Sequence, residues 1–261
     1  MAMRRMETRP LGSTGIAVSL LGLGTVKIGR NEGVKYPRGF DLPDDAAVVA
    51  LLEEARTLGI TLLDTAPAYG ESEQRLGRLL PGRREDWVIV SKAGEWFAGG
   101  QSRFDFSPDA IQASVEESLR RLRTDHLDAV LLHSDGADEA GSRFLPAAER
   151  LQRLKAQGKL RATGFSGKTA AGGLHLLPHV DLLMVTYNPG HRDERPVIAA
   201  AAAAGRGVLV KKALASGHLA DPAAALAEIA AIPGISGIVV GTLSRENLRA
   251  NAAAVMPAAG R

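Results

Sequence analysis

The sequence predicts an α/β fold, a (β/α)8 barrel of the TIM type formed as one domain over residues 1–261 and entered through an N-terminal β-hairpin. Three observations predict it. Eight short apolar runs alternate with helix-patterned stretches from one end to the other, the signature of a parallel sheet built from successive βα units. No linker of changed composition interrupts that alternation. Finally, Gly22-Leu23-Gly24 is not followed by the Gly-x-Gly-x-x-Gly turn that opens a doubly wound sheet, so closure into a barrel is the better solution.

Each element has its own signal. Strand-like residues over 8–11 and 16–18 flank Gly12-Ser13-Thr14-Gly15, a hairpin pattern. The first barrel strand follows over 19–25. A helix is predicted over 44–58, with Asp44 as N-cap and Gly59 just past its end. The second strand covers 60–63, and Ser72 is expected to cap a short helix reaching Leu80. The third strand covers 87–91. The next helix has the fullest signal: Ser107 caps it, Pro108 is its first residue, and Ile111, Val115, Leu119 and Leu122 recur on one face. Strand 127–132, helix 146–157 ended by Gly158, and strand 160–164 follow. The last strands are predicted over 182–186, 208–210 and 235–240, with alanine-rich helical stretches between them.

Composition narrows the function classes. Hydrophobic residues make up 45% of the 261, enough for a sizeable core. With 32 basic against 29 acidic residues and no basic run interleaved with aromatics, nucleic acid is not an expected partner. A small ligand bearing phosphate is compatible with that balance. The absence of cysteine excludes disulfides and thiolate chemistry, and no metal site is expected. Arg4, Arg5 and Arg9 precede an apolar run over 16–23, but that run is short, broken by Gly22 and Gly24, and lacks a small-x-small cleavage site. No run is long enough for a membrane span. The expectation is a cytoplasmic protein.

Four side chains fall at or just after predicted strand ends: Asp64, Tyr69, Lys92 and His133. In a barrel those ends converge on one rim, where catalytic residues gather. Taken singly, each has an ordinary explanation: a turn-capping Asp, a loop aromatic, a solvated rim charge, a core histidine. Together they are the equipment for reducing a carbonyl. A free phenol, with pKa about 10, is a weak acid at neutral pH, and a neighbouring ammonium is expected to lower that value. Tyr69 is therefore read as general acid, Lys92 as its electrostatic partner, Asp64 as the anchor of Lys92, and His133 as a hydrogen-bond guide for the substrate oxygen. Towards the C-terminus, residues 243–248 read as a helix start with Ser244 as N-cap and Leu243 stapled to Leu248. Such an end attracts phosphate, with Thr242 and Arg245 adding a hydroxyl and a cation.

The segment Leu62-Leu63-Asp64-Thr65-Ala66-Pro67-Ala68-Tyr69-Gly70-Glu71-Ser72-Glu73 resembles the signature of the aldo-keto reductases. Supporting pieces occur in the expected order: Arg9-Pro10-Leu11-Gly12-Ser13-Thr14-Gly15, Ser91-Lys92-Ala93-Gly94, Leu131-Leu132-His133, and Gly241-Thr242-Leu243-Ser244-Arg245-Glu246-Asn247-Leu248. The resemblance covers nearly the whole chain. It implies a barrel that binds a nicotinamide cofactor, usually NADPH with NADH as the alternative, at its C-terminal rim. It places Gly24, Thr25, Val26, Asp64, Ser166, Lys211, Leu214, Ser216, Gly241, Thr242, Ser244, Arg245 and Asn251 along that cofactor, Ser216 by the pyrophosphate and Asn251 by the adenine. Departures fall around the nicotinamide. Gly167 stands where the family pattern has Asn after Ser166, Met184 where it has Gln, and Lys211 where it has a stacking ring.

The expected function is NAD(P)H-dependent reduction of an aldehyde or ketone, or oxidation of the corresponding alcohol. Two rivals remain open. One is a dinucleotide-binding regulator with little turnover, favoured by the altered nicotinamide positions. The other is a cofactor-free isomerase using Tyr69 and His133. Lys27, Trp96, Phe97 and Arg103 are candidates for lining the substrate pocket, with Trp96 and Phe97 better read as loop anchors. A short tail over 255–261 suggests an open pocket.

Overall fold

The computed structural model describes residues 6–256; Arg4, Arg5 and the tail beyond Met256 lie outside them. Its centre is a closed barrel of eight parallel strands: β3 (Leu21–Gly24), β4 (Leu62–Asp64), β5 (Val88–Ala93), β8 (Leu127–His133), β9 (Leu160–Ser166), β10 (Leu182–Thr186), β11 (Gly207–Lys211) and β12 (Gly237–Val240). The last strand pairs with the first through Val239 and Gly22, which closes the cylinder. Two antiparallel hairpins are appended. One is β1 (Thr8–Pro10) with β2 (Ala17–Ser19); the other is β6 (Glu95–Ala98) with β7 (Gln101–Phe104). The helices are α1 (Val26–Gly29), α2 (Asp45–Thr57), α3 (Ser72–Leu79), α4 (Pro108–Leu122), α5 (Leu145–Ala156), α6 (Ala170–Leu176), α7 (Arg195–Ala203), α8 (Pro222–Ala230) and α9 (Arg245–Val255). No helix among the described residues is long and apolar enough to cross a membrane.

Period-two alternation along the strands divides the core in two. One set of side chains packs outward against the helices. The other fills the barrel: Leu62, Val90, Ala129, Leu131, Ala162, Leu182, Met184, Leu209 and Val239 form one buried cluster. The same cluster takes in Leu11, Ile16 and Val18, so the first hairpin plugs the N-terminal end of the cylinder. Gly12 at its turn has φ +58°, and a Cβ there would lie 2.3 Å from the Gly207 nitrogen, so only glycine allows the hairpin to press against β11. Arg9 fastens the plug by donating to the carbonyls of Ala230 (2.9 Å) and Ile235 (3.0 Å). With the bottom sealed by apolar packing, the opposite mouth is where the inward rows become polar.

The caps fall largely where the sequence placed them. The carboxylate of Asp44 accepts from the Ala47 amide, Ser107 from Ala110 and Ser244 from Asn247, while Leu248 is buried in the core cluster against which Leu243 packs. Ser72 differs. Glu71 occupies the N-cap of α3, and the Ser72 hydroxyl is buried inside the helix, donating to Thr25 Oγ1 at 2.7 Å and lying 3.1 Å from Thr65 Oγ1. The hydroxyl cluster of Thr25, Thr65 and Ser72 therefore ties the ends of β3 and β4 to α3. The second hairpin, β6–β7, was not anticipated as strand. Its turn is Gly99-Gly100, both at positive φ, a two-residue hairpin pattern that the sequence does contain.

Candidate active site

The polar mouth follows directly from the alternation inside the barrel. Leu62 points inward, so Asp64 two residues on does too. By the same count Val90 is followed by Lys92, Leu131 by His133, and Leu209 by Lys211. These side chains thus converge above the apolar filling at the C-terminal ends of the strands. Tyr69 reaches the same place from the turn after β4. Its amide donates to Ala66 O (3.0 Å) and its carbonyl accepts from Ser72 N (3.2 Å). Gly70 has φ +61°, and a Cβ there would lie 2.1 Å from Gly29 O, so α1 and this turn are pressed together.

Lys92 Nζ donates to Asp64 Oδ1 at 2.5 Å and to the Thr65 carbonyl at 2.9 Å. The Tyr69 hydroxyl donates to the other oxygen of the same carboxylate, Asp64 Oδ2, at 3.5 Å, a long and weak bond. The ammonium of Lys92 lies 4.7 Å from the centre of the Tyr69 ring, and the rings of Tyr69 and His133 meet edge to face at 6.3 Å. All four predicted residues are therefore one cluster, and Asp64 bridges the phenol and the ammonium. The expected lowering of the phenol is overturned. Recession from solvent raises the Tyr69 pKa well above its ordinary value, and the negative charges of Asp64 and Glu95 add to the effect. The ammonium is engaged by Asp64, and burial is the largest cause of the rise. Tyr69 is accordingly held as a neutral phenol that keeps its proton until a stronger base forms beside it.

Glu95, on the second hairpin, was missed by the sequence reading. Its Oε2 lies 2.7 Å from His133 Nδ1, although the approach misses the direction of a proper ring N–H hydrogen bond. Ser102 across the hairpin donates to Glu95 Oε1 at 2.6 Å. Burial alone would raise Glu95, but the imidazole, Ser102 and Arg30 outweigh it and hold the carboxyl down at about 2. His133 is lowered by burial, a shift that Glu95 partly opposes. The carboxylate also favours a proton on Nδ1 rather than on Nε2. Glu95→Gln removes the opposing charge, so the His133 imidazole is expected to titrate at lower pH in that variant. An NMR titration of the ring protons checks this; an unchanged or higher midpoint would contradict it.

A cavity of about 610 Å³ opens from these residues. It runs from Tyr69 and His133 past Lys211 and Leu214 to Asn247 and Asn251 of α9. Of the positions predicted to touch a cofactor, Gly24, Val26, Asp64, Lys211, Leu214, Ser216, Gly241, Thr242 and Asn251 line it. Thr25, Ser166, Ser244 and Arg245 are not among its lining residues. Thr25 turns its hydroxyl to the Asp64 carbonyl (2.9 Å), Ser244 spends its own on capping α9, and Arg245 is exposed. Ser166 sits one layer behind, accepting from Lys211 Nζ at 2.8 Å. The three departures are physical. A Cβ at Gly167 would lie 2.7 Å from the Phe165 ring, and Met184 is buried in the barrel filling. Lys211 donates also to the Gly167 carbonyl at 2.6 Å.

Of the substrate-pocket candidates, Lys27 lines the cavity, its ammonium 3.9 Å above the Tyr36 ring. Trp96, Phe97 and Arg103 belong to the second hairpin and do not line it; the Phe97 ring is an anchor, carrying the Arg30 guanidinium at 3.3 Å. Lys212, which the sequence offers with Lys211 as a phosphate partner, lines the cavity too; Tyr36, Lys168 and Asp221 also line it and were not foreseen, because they lie on loops without a strand-end signal. Among the described residues no group of three His, Asp or Glu side chains is arranged to hold a metal ion.

The cavity carries Lys27, Lys168, Lys211 and Lys212 on its walls against Asp64 and Asp221, a balance that suits an anionic ligand. Comparison with known proteins gives the family. The model of the aldo/keto reductase family matches residues 20–228. L-galactose dehydrogenase of Arabidopsis thaliana is 37% identical over 173 residues, 63% of this chain and 50% of that protein. Methylglyoxal reductase YeaE of Escherichia coli is 42% identical over 130 residues, 49% of this chain and 42% of its own length. The matched stretches thus span about half the length of these curated relatives. A crystal structure of a Pseudomonas aeruginosa protein, provisionally assigned as an aldo-keto reductase, superposes with TM-score 0.86 at 52% identity, covering 98% of this chain and 97% of the other. The holo form of an aldo-keto reductase from Bacillus halodurans gives TM-score 0.83 at 25% identity, covering 97% and 92%.

Proposed function

This chain belongs to the aldo/keto reductase family, and on that footing we propose that it reduces an aldehyde or ketone with a nicotinamide cofactor, Tyr69 delivering the proton. The observation that carries the reading is the Asp64-centred cluster, in which one carboxylate holds both the phenol and the ammonium at the mouth of the barrel. When bound, a reduced nicotinamide supplies the hydride. As negative charge grows on the substrate oxygen, that oxygen becomes a far stronger base than a phenolate, so a phenol with a raised pKa still transfers its proton downhill. Lys92, paired with Asp64 and 4.7 Å from the ring centre, offsets the carboxylate charge that the forming phenolate would otherwise meet in full. The weak bond from Tyr69 to Asp64 Oδ2 lets the hydroxyl leave that acceptor for the substrate at little cost. His133 lines the cavity beside Tyr69 and shapes the space for the substrate oxygen; with its ring proton on Nδ1 towards Glu95, Nε2 has none to donate, and the proton comes from Tyr69 alone.

NADPH is the preferred form, because the wall lysines offer partners for a further phosphate; Arg245, exposed at the start of α9, lies outside the lining. Small aldehydes or sugars, such as the relatives' names indicate for those proteins, are the substrate class to test first. Absorbance of NADPH mixed with a panel of such carbonyls should fall with time and fall faster than with protein absent. A second reading, a dinucleotide-binding regulator with little turnover, is favoured by Met184 and Lys211 at the nicotinamide positions. Tight cofactor binding with no oxidation across the panel would select it over the reductase.

A further inference from the structure

Lys211 has a setting unlike the other cations of the cavity. Its ammonium is anchored at the rim by two neutral acceptors, Ser166 Oγ at 2.8 Å and the Gly167 carbonyl at 2.6 Å. Ser166 is the register partner of His133, so the charge is tied to the strand layer that carries the chemistry. Asp64, which also lines the cavity, already forms an ion pair with Lys92. The carboxylate that acts on Lys211, Glu194, has one oxygen engaged by the Thr186 amide at 2.9 Å. A recessed cation without an anion in contact projects its field into the space beside it, where screening by water is weak.

A nicotinamide ring is a neutral dihydropyridine when reduced and a cation when oxidised. We propose that Lys211 makes this cavity hold the reduced, uncharged nicotinamide in preference to the oxidised, cationic one. The inference rests on the cofactor reading above and deepens it: Lys211 is assigned to redox-state discrimination rather than to phosphate. Tighter binding of the reduced form keeps the protein loaded for reduction and speeds release of the spent form. A tenfold difference in affinity corresponds to a rise of about 30 mV in the potential of the bound couple.

The preference has a pH dependence of defined sign. Burial pushes Lys211 down to about 7, with Lys212, Lys92 and Lys168 acting in the same direction and Glu194 opposing them; His133 faces it from β8. A lysine is charged below its pKa, so discrimination is full in mild acid and fades as pH rises through neutrality. Isothermal titration calorimetry with NADPH and with NADP+, at about pH 6 and about pH 8.5, tests this. Wild type should favour NADPH by roughly tenfold more than Lys211→Met does at the lower pH, an ordinary size for coupling between a charge and a ligand. That excess should shrink at the higher pH. Lys211→Arg, charged throughout, should keep the preference at both pH values, which separates Lys211 from the other titrating groups. An NADPH-to-NADP+ affinity ratio unchanged in Lys211→Met overturns the inference while leaving the reductase reading intact. Failure of wild type to bind either nucleotide overturns both.

Discussion

Tyr69→Phe is expected to lose about 10²–10⁴-fold in kcat for carbonyl reduction while still binding NADPH, because it removes the proton donor and little else. The aromatic ring stays, so its edge-to-face contact with His133 and its place over Lys92 are kept. Only the hydroxyl goes, and the bond it gives up, to Asp64 Oδ2 at 3.5 Å, is long enough to matter little for stability. Steady-state kinetics beside a fluorescence titration of NADPH checks both halves. Equal turnover in the two proteins would remove Tyr69 from the chemistry. Loss of cofactor binding along with turnover would make its role structural.

The second large effect concerns stability. Asp64 and Lys92 are 5% and 2% exposed, and their contact at 2.5 Å buries two opposite charges side by side. Removing one partner leaves the other charge buried without its counter-ion. Asp64→Asn alone, or Lys92→Met alone, should therefore cost about 3–5 kcal/mol in urea denaturation. The double variant should be more stable than the sum of the single losses predicts, because it removes both charges at once. Additive losses would mean that the two groups do not depend on each other, and that Asp64 does not anchor the ammonium.

The barrel and the cluster at its mouth were legible because both follow from short-range pattern. A period of two along each strand decides which residues face inward, and the inward rows carry Asp64, Lys92 and His133 to the rim whatever the loops do. The positions of the caps on α2, α4 and α9 are equally local. What the sequence could not supply were effects set by distant neighbours. Tyr69 was expected to be made more acidic by Lys92, yet the ammonium is engaged by Asp64, and Glu95 arrives from a hairpin two strands away to add a second negative charge. Ser72 looked like a cap until burial drew its hydroxyl to Thr25. Glu95 itself had a readable clue in Gly99-Gly100, the turn that folds its hairpin over His133.

Hydride transfer is the step on which the functional reading stands, and isotope labelling follows it atom by atom. NADPH carrying deuterium at both C4 positions is mixed with protein and an aldehyde that the panel shows to be turned over. The product alcohol should carry one deuterium at the former carbonyl carbon, and Tyr69→Phe should yield far less of it in the same time. Cofactor oxidised without label in the alcohol, or aldehyde left unchanged beside tightly held NADPH, would contradict the account.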